Sequence, residues 1–303
     1  MDRKSAPYIL LLGVLFGTSL VISRFGINQI PPTTFTGLRF CLASFAFVVI
    51  FSLQVGNRSW PKGKDIWRHS FLLGLFGTVI PITSIASALQ YLSSGLVSIL
   101  ITIGPAFTVL MAHFSLNDEQ INRRKGWGVL LAFGGAILLI ILGESGLPNV
   151  GSANPTGYFL VFGGMLAGSA MTVYSRKHLQ CYDTLDVTGV RLIFGAFILT
   201  PISFLIDGID LTKVDYRGIL ALIFSAVLGS LLGMILSLYN VQRFGATASV
   251  MTSYVVPIVA SLIGVIFLGE AITWGMIGGV VFIILGVWLI HAGDVRTVSE
   301  PCA

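Results

Sequence analysis

Ten stretches of predominantly apolar residues recur along the chain, at 7–25, 34–55, 69–89, 96–116, 126–143, 157–175, 187–206, 218–239, 247–268 and 273–292. A helix needs about 20 such residues to cross the hydrocarbon core of a bilayer, so the pattern predicts ten membrane-spanning helices. The polar segments between them are mostly tight, as at Leu92–Gly95 and Gly269–Thr273. The first apolar run continues to Ser23, too long for a signal-peptide core of about 7–15 residues. It reads as the first span.

The polar residues set an orientation. With the N-terminus inside, the inner segments carry Arg3, Lys4, Arg58, Lys62, Lys64, Arg68, Arg123, Arg124, Lys125, Arg176, Lys177, Arg243 and Arg296, whereas the outer loops carry only Lys213 and Arg217. Cytoplasmic loops are enriched in lysine and arginine, so both termini are expected in the cytoplasm and the 144–156 loop outside. Composition agrees with a chain embedded throughout: 55% of the 303 residues are hydrophobic and 10% charged, against about 25% charged in soluble domains. The basic residues form no continuous stripe, so the net charge of +5 does not call for nucleic acid. The expected partners are the lipid bilayer and a small-molecule substrate, with no nucleic acid; a homodimer is admissible.

A repeat is written into the chain. T-G-x-R occurs at Thr36–Arg39 and again at Thr188–Arg191, 152 residues later. The same offset relates Gly77 to Gly229, Gln90 to Gln242, Pro105 to Pro257, Asp118 to Glu270, Gly126 to Gly278 and Gly134 to Gly286. Each copy holds five spans, an odd number, so the second copy is inverted relative to the first. The expected division is 1–143 for the first repeat, 144–156 for an external linker, 157–292 for the second repeat and 293–303 for a cytoplasmic tail. Inverted repeats are a device of secondary transporters, which hold substrate near the midplane between the halves.

Candidate pathway residues follow from polarity inside spans. Pro105 and Pro257 lie mid-span at equivalent positions; a proline there removes a backbone hydrogen bond, and the freed carbonyl needs a partner within the protein or substrate. With them we name Ser19, Ser84, Gln90, Thr102, Tyr174, Ser237, Gln242 and Tyr254 as pathway candidates. Arg39 and Arg191, a few residues inside their helices, read either as interfacial anchors whose side chains snorkel to the boundary or as gates at the two mouths. No acidic residue falls at a span centre, and His113 is the one candidate for a buried titrating group in a span. That pattern argues against proton coupling and, with no mid-span lysine or arginine, against a strongly charged substrate. The sequence holds no H-E-x-x-H, G-x-S-x-G or P-loop motif, and its three cysteines match no metal or redox spacing. No catalytic residue, metal or cofactor is expected.

Three features together resemble the EamA family of the drug/metabolite transporter superfamily. They are "FGTSLVISR" at Phe16–Arg24, the helix starts "TGLRF" and "TGVRL", and Pro257 followed by "LGE" at Leu268–Glu270 and by Gly278. The first copy departs from the pattern with "LND" at Leu116–Asp118. The resemblance spans nearly the whole chain. It implies an all-α membrane fold of ten helices in two inverted five-helix repeats, with helices 1–4 and 6–9 around a central cavity and 5 and 10 peripheral. It also implies alternating-access transport, commonly export, of small metabolites such as amino acids or drug-like compounds across the inner membrane. The alternatives are an ion-coupled five-plus-five carrier of another fold and a membrane scaffold or sensor that transports nothing.

Overall fold

The computed structural model describes residues 6–115, 121–148, 153–208, 212 and 214–292, without the side chains of 241, 242, 244–251 and 292. Among these residues nine helices are long and apolar enough to cross a membrane: α1 (Ala6–Gly26), α2 (Pro32–Ser52), α3 (Lys64–Ala88), α4 (Ser94–Ser115), α5 (Arg123–Ile141), α6 (Pro155–His178), α7 (Thr184–Ile206), α8 (Tyr216–Asn240) and α10, which continues to Ala292 from Trp274. A shorter apolar helix, α9 (Thr252–Leu268), makes ten. Helical backbone is continuous over Gly233–Leu268, so no non-helical loop marks the expected gap between spans eight and nine. The direction of the chain nevertheless reverses there. Along α1, Ser23, Phe16 and Tyr8 face Ser225, Gly233 and Asn240 in turn, whereas Gly13 and Gly17 face Val255 and Val259. Thus α8 runs antiparallel to α1 and α9 runs parallel to it.

The inverted duplication is visible in the packing. Helix α1 lies against α8 and α9 of the other repeat, and α6 lies against α3 and α4. The remaining equivalent helices pair with each other, α2 with α7 and α5 with α10. Lipid gives helices no hydrophobic reason to associate, so close backbone approach at small residues holds them. A Cβ at Gly17 would sit 2.8 Å from the Val259 side chain, and one at Gly164 3.2 Å from the Pro81 carbonyl. The α5–α10 pair is tighter still, with Gly128 against Gly286 and Gly135 against Gly279. The phenylalanines of α2 (Phe40, Phe47 and Phe51) fill the space that Gly189 and Gly195 leave on α7.

Two helices depart from α-geometry at equivalent places. A π-turn occupies Leu75–Val79 in α3 and another occupies Ser225–Leu232 in α8. In α3 the cause is Pro81, which has no N–H for the Gly77 carbonyl, so the hydrogen bonding shifts register. Gly233 stands at the equivalent place in α8, pressed against Phe16. The mid-span prolines behave differently from one another. Helix α4 is interrupted at Thr102–Ile103, just ahead of Pro105, while Pro257 stays inside a continuous helix.

The glycines at positions 134 and 286 are repeat equivalents with opposite surroundings. A Cβ at Gly286 would meet the Ala132 nitrogen at 2.5 Å and the Gly128 carbonyl at 2.6 Å, both backbone; a Cβ at Gly134 would meet nothing within 4 Å. Gly286→Ala is expected to destabilise the protein by about 1–3 kcal/mol, and Gly134→Ala to be neutral or slightly stabilising. Unfolding midpoints of the two variants in detergent check this.

Candidate functional site

The mid-membrane breaks are satisfied across the repeat boundary. Pro257 leaves the Ser253 carbonyl without its helical donor, and Thr102 Oγ1 donates to that carbonyl at 3.1 Å while also bonding the Ser98 carbonyl at 3.0 Å. Ser169 of α6 donates to the Gly104 carbonyl at the α4 break (3.1 Å), and Thr108 donates to the same oxygen (3.0 Å). At Ser253 a threonine thus supplies what the bilayer cannot. Gly95, the second residue of α4, touches Ser261 of α9, so α4 and α9 also approach closely near the start of α4.

A second polar cluster joins α1, α2 and α8. Arg39 is buried, 9% exposed. Its Nε donates to Ser230 Oγ at 2.6 Å and its Nη1 to Ser23 Oγ at 3.3 Å. Ser23 also donates to the Ser19 carbonyl (2.7 Å) and lies 3.2 Å from Ser225 Oγ. Gly229 makes the room: a Cβ there would collide with Ser19 Oγ and Arg39 Nη2. The guanidinium therefore does not reach back to the interface. Hydroxyls on the facing helices and the α8 π-turn hold it inward, and they were invisible as a set because Ser230 lies 191 residues away in sequence while Ser23 lies 16 away. The expectation that no buried lysine or arginine lies within a span is corrected here. Arg191, its repeat equivalent, is partly buried, and its Nε has no partner among the described residues. Where Arg39 has Ser19 and Ser225, the repeat places Met171 and Leu73 near Arg191.

The two faces of the membrane domain are closed by different means. On the face predicted external, Glu270 is buried and accepts from the Ser94 amide (2.8 Å), the Ser94 hydroxyl (2.7 Å) and the Gly95 amide (3.2 Å). These are the orphan donors at the start of α4, where a carboxylate also meets the positive end of the helix dipole. Gly264 leaves the space the carboxylate occupies. Beside it, the Ser93 and Ala271 amides bond the Ser145 and Gly146 carbonyls, and Thr273 donates to Glu144 at 2.6 Å. The segment expected as a plain external linker thus starts by tying both repeats together. On the opposite face Arg58 pairs with Asp183 at 2.8 Å, and His69 lies 2.6 Å from the Tyr174 hydroxyl and stacks on His178.

The remaining candidates scatter. Ser84 is half-buried against Gly164 where α3 meets α6, and Tyr174 sits near the Arg58 face with the histidines. Tyr254 packs on the largest core cluster, Pro257 is buried and Ser237 is half-buried. Gln90 is exposed in the turn after α3, and His113 is exposed rather than embedded. The side chain of Gln242, and Asp118 and the 293–303 tail altogether, lie outside the described residues. Neither the Glu270 cap nor the paired π-turns were expected from sequence. The first had a signal in the "LGE" motif; the second had one in Pro81 and Gly229.

With this geometry in place, the relatives are informative. The model of the EamA-like transporter family matches residues 3–141 and again 155–292. The chain is 26% identical over 283 residues to "Uncharacterized transporter YoaV" of Bacillus subtilis, covering 93% of this chain and 94% of that one. It is 25% identical to a "Probable amino-acid metabolite efflux pump" of Salmonella typhimurium, covering 95% of each. Among solved structures, one crystal structure superposes with a TM-score of 0.67 at 20% identity, covering 95% of this chain and 96% of that one. This last likeness shows the fold.

Two outcomes test the closures. Glu270→Ala strands the α4 amides and is expected to cost about 2 kcal/mol; Glu270→Gln, which keeps an acceptor, is expected to cost less, by equilibrium unfolding in mixed micelles. Burial pushes the Asp183 carboxyl up, but the Arg58 hydrogen bond and the Leu185 and Asp186 amides outweigh it and hold the group below the ordinary carboxylate value. A carboxyl lowered in the folded state stabilises above its unfolded value, about 3.9, and that contribution fades as pH falls through the folded one. Wild type is therefore expected to exceed Asp183→Asn in thermal midpoint at pH 6, by a small margin for so exposed a pair. The gap should close below about pH 4.

Proposed function

Since the chain belongs to the EamA-like transporter family, we propose that it carries small neutral or zwitterionic metabolites, amino acids or drug-like compounds, out of the cell by alternating access. The protein sits in the cytoplasmic (inner) membrane with both termini on the cytoplasmic side, as the loop charges suggest, and assigns none of its residues to catalysis. The named relative described as an amino-acid metabolite efflux pump supports the substrate class and direction. The observation that carries the mechanism is the hydrogen bond from Thr102 to the carbonyl freed by Pro257. It spans the repeat boundary at mid-membrane, where helices whose own hydrogen bonding is interrupted can change partners at little cost. Rocking one repeat against the other then opens the Glu270 face and the Arg58 face in turn.

The experiment is flux through proteoliposomes holding the purified full-length chain, with a panel of radiolabelled amino acids counterflowing against unlabelled ones. At least one is expected to exchange above protein-free vesicles; an empty panel would remove the amino-acid class. Thr102→Val keeps the shape and deletes the bond, leaving the Ser253 carbonyl bare. It is expected to fold and to slow exchange by roughly fivefold or more. Unchanged exchange would take the α4–α9 crossing out of the moving interface.

A further inference from the structure

We propose that Arg39 and the serines around it form the seat for a carboxylate on the transported molecule, so that the substrate class is defined by that group; this rests on the transport reading above. A cation inside a membrane-spanning helix is costly and is ordinarily paired. Arg39 is the eighth residue of α2, about 10 Å in from its start. Among the described residues no carboxylate lies within salt-bridge distance of it. Its partners are neutral hydroxyls. The site therefore holds one uncompensated positive charge and lacks one negative one.

The shape of the site fits a planar anion. A guanidinium has five N–H donors. Two go to Ser230 and Ser23, which leaves three, including both on Nη2. Nη2 packs against Gly229, whose missing side chain gives the guanidinium its room. Ser19 and Ser225 put further hydroxyls next to it. An arginine fork with donors to spare matches a carboxylate. The seat offers a single cation, which suits a monoanion better than a phosphate dianion. Its parts come from α1 and α2 of one repeat and from α8 of the other, so a bound carboxylate bridges the two moving halves. Arg191 places a second guanidinium without an acidic partner at the matching depth from the opposite face. Ser175 and Thr78 stand where Arg39 has Ser23 and Ser230, but Met171 and Leu73 replace Ser19 and Ser225, so the fuller set of hydroxyls is at Arg39. Together the two arginines bias the path toward anionic groups and against cations.

The test uses the purified full-length protein and isovalerate, a minimal carboxylate with an apolar tail, against isovaleramide of the same shape, sodium chloride at equal ionic strength and inorganic phosphate. Binding is read by ligand-induced shift of the thermal midpoint and by titration of tryptophan fluorescence. Isovalerate is expected to bind, isovaleramide much more weakly, and Arg39→Gln to weaken isovalerate by at least about tenfold. Should that variant fail to fold, Arg39→Lys, which keeps the charge but not the fork, and Gly229→Ala, which displaces Nη2 and the Ser19 hydroxyl, are each expected to weaken binding. Equal binding of isovalerate and isovaleramide, or isovalerate binding unchanged in the Arg39 and Gly229 variants, overturns the proposal. Chloride matching isovalerate would make the seat a counter-ion site, and tighter phosphate would change the ligand class; either result also overturns it. The flux assay separates the two readings. An amino acid exchanged at the wild-type rate by Arg39→Gln defeats the carboxylate seat and leaves transport standing. Isovalerate binding that depends on Arg39, in a protein that exchanges none of the amino acids, supports the seat and defeats the amino-acid reading.

Discussion

Inside a bilayer no water stands ready to bond a freed peptide carbonyl, so every break in a helix has to be answered by another part of the chain. That constraint shapes the centre of this molecule. Pro257 frees the Ser253 carbonyl, and a threonine of the other repeat answers it. Beside the α4 break, Ser169 of α6 donates to the Gly104 carbonyl and ties the two repeats together. Pro81 denies a donor to Gly77, and the helix answers by changing to π-register. The two halves are thus joined where their own hydrogen bonding is weakest, by hydroxyls that can exchange partners.

The same rule, applied to charge, explains the periphery of that centre. Arg39 cannot be hydrated, so two helices turn serines toward it and a glycine gives it room. Glu270 cannot be hydrated either, and it is held by the unpaired amides at the start of α4. One charge is solvated by hydroxyls and the other by a helix end. Both arrangements cross from one repeat to the other, so charge burial and inter-repeat adhesion are one design. The tighter glycine seams, α1 with α9 and α5 with α10, have no such polar content and rest on van der Waals contact alone.

The inverted repeat is ideal in its helix pairing and unequal in its chemistry. Helix α1 meets α8 and α9 as α6 meets α3 and α4, yet Arg39 has a serine cradle and Arg191 does not. Helix α4 breaks where α9 continues. One face is laced by buried backbone bonds and a carboxylate, the other by an exposed ion pair and stacked histidines. A carrier whose halves were identical would have equal mouths; this one closes its faces by interactions of different strength and solvent exposure.

Much of this was legible in the order of residues alone. The ten apolar runs, the offset of 152 positions and the loop charges follow from local composition, because a bilayer imposes length and polarity on each span separately. Pro105 and Pro257 could be picked out as paired breaks for the same reason. What answers each break or charge could not be read, since Thr102 and Ser253, Arg39 and Ser230, and Glu270 and Ser94 are each more than 150 residues apart. Arg39 shows the limit most plainly. Its distance from a helix end permitted either snorkelling or burial, and only the tertiary packing, which brings Gly229 and the α8 serines over it, decided for burial.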